Sequence, residues 1–125
     1  MAPADEYFGQ MKMSILEINN RLRDLTGKAD RQSVPPQNIE HDAEFTESAM
    51  HDWESKYPRD PWLPRSVARL VRIYSHIDTG ASRSRMHGSL RWLQRRYARH
   101  SGLVAAMRVE VAIADAHLHN VTLQR

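Results

Sequence analysis

Residues 103–116 read LVAAMRVEVAIADA, and whether this run is a strand or a helix decides the fold class of the whole chain. Its VEVAIA centre reads as well as a strand as it does as a helix. The alanines, the length of the apolar pattern and the lack of any second segment to pair with it decide for a helix over residues 103–119. Arg108, Glu110 and Asp115 are its only acidic or basic residues apart from histidines, so the helix is apolar almost all round. Such a helix belongs at the centre of a bundle or under another molecule. No other segment reads as a strand, and the predicted fold is all-α.

Working outward, Ser101-Gly102 marks a turn, and a helix over 82–99 carries Met86, Leu90, Leu93 and Tyr97 on one face with Trp92 beside them. Leu63, Val67, Leu70, Val71, Tyr74 and Ile77 place a helix over 64–77, closed by Asp78-Thr79-Gly80. Phe45, Ala49, Met50, Trp53 and Tyr57 place another over 38–56. Phe8, Met11, Ile15, Ile18, Leu22 and Leu25 form the stripe of a first helix over 4–26, with acids in its first turn and Gly27 as its C-terminal cap. About five helices in antiparallel hairpins result. Two packings fit them: a closed bundle in which the first helix covers 103–119, or an open one in which that apolar helix forms a homodimer or partner interface. The closed bundle is the expected one.

The chain of 125 residues, 41% apolar and 26% charged, is that of a single globular domain. No apolar run approaches the roughly 18 residues of a membrane-spanning helix, and the absence of cysteine excludes disulfides and thiolate chemistry. Charge is polarised. Residues 1–60 hold seven basic and twelve acidic residues, and residues 61–125 hold eleven arginines and three acids. An acidic partner, or packing of the acidic half on the basic half, is implied. The polar start lacks the basic and apolar regions of a secretory signal; it fits an ordinary cytoplasmic start and equally a mature exported protein whose signal was replaced by an initiator Met.

Half of the six prolines fall in KYPRDPWLPRS, residues 56–66. Tyr57 ends one helix, Pro58 blocks its continuation, and Pro61 or Pro64 opens the next; Leu63, preceding a proline, favours the later start. Trp62 is expected to plug this corner. The segment reads as a rigid joint, so loss of Trp62 should cost stability more than binding.

Trp53 to Tyr57 followed by Pro58, Pro61 and Trp62 is echoed about 40 residues later by Trp92 to Tyr97 followed by Gly102 and Leu103. With Val67, Leu70, Ile73 and Tyr74, this pattern over residues 45–105 resembles tetratricopeptide-type (TPR) α-hairpin repeats, most of all those of BamD-like envelope lipoproteins. The resemblance implies hairpin architecture, protein or peptide binding, no catalytic residue, and a periplasmic or exported location. Its departures are a spacing longer than the roughly 34 residues of the repeat, His87 and Leu90 at positions for small residues, and no lipidation cysteine.

Residues 65–99 hold nine arginines and one acid. Arg65, Arg69 and Arg72 share one face of their helix, and Arg91, Arg95 and Arg99 follow at i, i+4, i+8. They either meet an acidic partner or pair internally with Glu40, Asp42, Glu44, Glu47, Asp52 and Glu54 of the 38–56 helix. His117 and His119 are two apart, and the other histidines lack helical ligand spacing, so no metal site is read. No nucleophile elbow or phosphate loop is present, and Ser48, His51 and Asp52 are ordinary polar-face neighbours. The function read is a non-catalytic, cofactor-free protein-interaction module for an acidic protein or peptide. A nucleic-acid-binding domain using the same arginines is the alternative, and a small-ligand or metal-binding bundle a further one.

Overall fold

The 103–116 run is helical. A computed structural model describes the backbone of residues 1–124 and the side chains of residues 1–117. Its helices are α1 (Ile15–Arg31), α2 (Pro36–Lys56), α3 (Leu63–Ser75), α4 (Gly80–Arg96) and α5 (Ser101–Gln124). Among the described residues the extended pairing is confined to one isolated bridge between Phe8 and Met13. The fold is an all-α helical bundle, and no described helix is long and apolar enough to cross a membrane.

α3 is the hub. Nine of its thirteen residues are buried, including Val67, Leu70, Val71, Ile73 and Tyr74, and it packs against each of the other four helices. α1 and α5 flank it; α2 packs on α1 and α3, and α4 on α3 and α5. Phe8, Leu22, Leu25, Trp53, Leu63, Leu70 and Leu93 are sealed in a continuous core.

Several expectations are corrected. The first helix does not begin near residue 4. It starts at Ile15, where the Ser14 hydroxyl accepts from the Glu17 amide at 3.2 Å and donates to the Glu17 carboxylate at 3.2 Å. This Ser-x-x-Glu start outweighs the apolar spacing upstream. The helix then runs through Gly27 to Arg31, and Gln32, in the left-handed region at φ 51°, is its cap. Residues 1–14 instead brace the α2–α3 junction. The Ala2 amide donates to Asp60 at 3.0 Å, the Gly9 amide to Asp52 at 3.0 Å, and Phe8 meets Tyr57 edge-on at 6.2 Å. Met11, off this brace, is exposed.

The closed bundle does not form. Among the described residues, α3 separates α1 from α5, which make no extensive contact with each other. The outward face of α5, with Ala105, Ala106, Val109, Ala112 and Ile113, is therefore left open, and Val109 is 58% and Ile113 64% exposed.

The fourth helix ends at Arg96 with Tyr97 as its cap, short of residue 99. α5 extends to Gln124, beyond the expected end at 119. The remaining ends differ from expectation by two residues or fewer, and Pro64 does lie in the first turn of α3.

Candidate functional site

Since α3 is buried on nearly every side, one strip of it reaches the surface, and that strip is basic. Arg65, Arg69 and Arg72, four and three residues apart, lie on a single face. Arg65 and Arg72 are exposed, and Arg69 is half-buried. Arg72 reaches Glu110 of α5 at 3.5 Å. Among the described residues, Arg65 and Arg69 have no carboxylate within ion-pairing distance. Burial, then repulsion by Arg23 and Arg65, holds the Arg69 guanidinium below the usual arginine range.

Arg23 is the residue that sequence reasoning missed. It stands on α1, and only the packing of α1 on α3 brings it to Arg69; no local pattern marks it. That packing is pinned where the Ser66 hydroxyl donates to Asn19 at 2.8 Å. On the same helix edge as Arg23 lies Leu16, 70% exposed. Among the described residues, the surface thus combines three cations that have no carboxylate in ion-pairing distance with an apolar border.

The α4 arginines divide. Arg85 pairs with Glu44 and Glu47, each at 3.3 Å, and Arg96 approaches Glu54 at 3.9 Å. The internal pairing with α2 therefore exists, through arginines outside the expected set. Arg91 and Arg95 are exposed on α4 with no carboxylate in reach among the described residues. Arg99 leaves their register because the helix has ended, and it stands in the α4–α5 turn.

Glu40, Glu47 and Glu54, seven residues apart, put one acidic face of α2 to use. Glu40 accepts from the Thr79 and Ser82 hydroxyls, Glu47 from Tyr74 at 2.8 Å, and Glu54 from the Trp92 indole at 2.6 Å and from the Tyr97 hydroxyl. Hydrogen bonds from Ser82 and Thr79 hold the Glu40 carboxyl below its ordinary 4.5. For Glu47, burial pushes the carboxyl up, but hydrogen bonds from His51 and Tyr74, with the Arg85 charge, outweigh burial and hold it low. Burial, then the neighbouring Glu47, drives Tyr74 far above its ordinary 10; burial and Glu54 do the same to Tyr97.

A depressed carboxyl stabilises the fold above its unfolded value, and that stabilisation is lost as pH falls through the folded one. A raised tyrosine stabilises below its unfolded value, and this is lost as pH rises beyond it. Thermal midpoints measured against pH should hold level between about 5 and about 9 and fall on both sides. Glu47→Gln should flatten the acid limb and Tyr74→Phe the alkaline limb. Unchanged limbs in both variants would remove Glu47 and Tyr74 as the source.

At the joint, Asp60 does what Trp62 was expected to do. Asp60 is 2% exposed, and its carboxylate accepts from the Trp53 indole at 3.0 Å, the Ala2 amide at 3.0 Å and the Trp62 amide at 3.1 Å. Trp62 does not plug the corner. It is 46% exposed, because Trp53 already fills the space beneath the turn. Tyr57 is half-buried, Pro64 is buried, and Pro58 and Pro61 are exposed.

Three of the described histidines have separate partners: His87 with Asp115 at 3.0 Å, His76 with Asp30 at 3.4 Å, and His51 stacked on Trp92 at 4.1 Å. Among the described residues no three His, Asp or Glu side chains converge on a point; the side chain of His119 lies outside them. Asp52 is committed to the Gly9 amide and to Lys56 at 3.5 Å, away from any joint chemistry with Ser48. Comparison with family models, curated proteins and solved structures finds no match for the chain.

Proposed function

We propose that the chain is a non-catalytic binding module that receives an acidic protein segment on the face formed by Arg65 and Arg69 of α3 and Arg23 of α1. The observation that carries this reading is Arg69. A half-buried guanidinium facing two other cations and no acid costs free energy in the isolated chain, and an incoming carboxylate offsets that cost. Glu44, Glu47 and Glu54 of α2 do not compete for these residues, because Arg85, Arg96 and neutral donors already satisfy them. Leu16 and the open side of α5 supply apolar contact beside the charges, which suits an amphipathic segment.

The test uses a labelled amphipathic peptide with Glu along one face and Leu along the other. The R23Q/R65Q/R69Q variant should bind it on the order of tenfold more weakly or worse, and wild-type affinity should fall as salt is raised. R91Q/R95Q should change it by less than about threefold, as expected of rim charges. Equal binding by wild type and the triple variant would sink the proposal. Phosphates would satisfy the same arginines. A gel shift of duplex DNA, with a steep salt slope and no peptide binding, would assign the face to nucleic acid instead.

A further inference from the structure

The two turns that echo each other in sequence lie side by side in space. A cavity of about 310 Å³ is lined by Pro61, Trp62, Pro64 and Arg65 from the α2–α3 joint and the start of α3, and by His100 and Leu103 from the α4–α5 turn and the start of α5. A second, of about 170 Å³, shares Pro61, Pro64 and His100 and adds Arg59, Arg96 and Arg99. Together they have an apolar floor and a cationic rim.

We infer that this double cavity seats one bulky apolar side chain, flanked by carboxylates, of the acidic segment proposed above. This rests on that reading and adds to it the anchor and the place where it docks. Charge complementarity identifies the occupant. Among the described residues Arg59, Arg65 and Arg99 pair with no carboxylate, and the one acid lining the second cavity, Asp60, is buried and occupied by its three N–H donors. Arg65 belongs both to the cavity wall and to the α3 strip, so the two surfaces are continuous.

Size agrees as well. The larger cavity is at the lower end of the roughly 300–1,000 Å³ range of ligand pockets, enough for one large side chain. The walls are preorganised. Three prolines fix their own backbone, and Asp60 holds the Trp62 amide, so seating an anchor orders little that was mobile. An exposed tryptophan beside arginine is the composition on which interface energy concentrates.

The test compares the Glu/Leu peptide with a Glu/Ala peptide of equal charge. Wild type should bind the Leu form on the order of tenfold more tightly. Trp62→Ala should remove most of that preference, leave affinity for the Ala form unchanged, and hold the thermal midpoint within a few degrees. On the wild-type chain, the Leu peptide should reduce acrylamide quenching of tryptophan emission, because Trp62 is the most exposed of the three tryptophans. That readout stands even if the variant folds poorly. Equal binding of both peptides, or a preference undiminished in Trp62→Ala, overturns the anchor site while the arginine-face proposal stands. No binding of either peptide overturns both. A wild-type dimer in sedimentation that dissociates in Trp62→Ala gives the cavity to a second copy, and overturns it too.

Discussion

Asp60→Ala is expected to lower stability by about 4 kcal/mol, with a fall in Tm on the order of 15 °C. Asp60 is a buried carboxylate with no cation in ion-pairing distance among the described residues; three N–H groups compensate its charge. Charge-assisted hydrogen bonds are worth about 1.5–3 kcal/mol each, and the three here share one group, so they do not add fully. Alanine leaves the Trp53 indole and the Ala2 amide without acceptors in the interior. That is a large part of the roughly 5–15 kcal/mol by which a domain is stable. Asp60→Asn keeps the shape and one carbonyl oxygen, but sets an NH2 against donors, so it should lose about half as much. Denaturant melts should show a lowered midpoint at unchanged slope. A loss below about 1 kcal/mol would mean that the joint is held by its prolines alone.

Gly9→Ala should cost about 3 kcal/mol for two independent reasons. Gly9 sits at φ 73°, where an L side chain is strained, and an added Cβ would lie 2.8 Å from the Cα and 2.9 Å from the Cβ of Ala49. The Ala49 backbone belongs to α2 and cannot rotate away as a flexible side chain would. The Gly9 amide also holds Asp52, so moving the turn breaks that hydrogen bond. The Gly9→Ala/Ala49→Gly pair should recover part of the loss. It relieves the clash between the two methyl groups, but the α2 backbone still crowds the new side chain and the strain at residue 9 persists. Full recovery in the pair, or no loss in Gly9→Ala alone, would show that residues 1–14 do not brace α2 as the structure has them.

These two positions show where the sequence was readable and where it was not. The apolar period of 63–77 and 38–56 places α3 and α2 nearly to the residue, because a buried stripe leaves a local signature. The same period misleads in residues 4–14. Phe8 and Met13 are buried from a turn, and a turn residue that packs on a distant helix has no periodicity of its own. Gly27 looks like a stop and is helical, since Gln32 does the capping. The chemistry of Trp62 points to the interior, while Trp53 and the unremarked Asp60 occupy that space.

For the candidate site, the arginine strip of α3 was legible because Arg65, Arg69 and Arg72 obey helical spacing on a helix that is apolar elsewhere. Which arginines lack acids was not legible. The sequence by itself determined the fold class, the order of the helices, the charge imbalance between its halves and the stiffness of residues 56–66, all consequences of local spacing and backbone restriction. Only the tertiary structure decided that α2 spends its acids on Arg85, Arg96, Tyr74 and Trp92, that Arg23 joins Arg69, and that two distant turns close one cavity. Ion pairing and desolvation depend on separations of a few ångströms between residues far apart in the chain, and no spacing along the sequence encodes those.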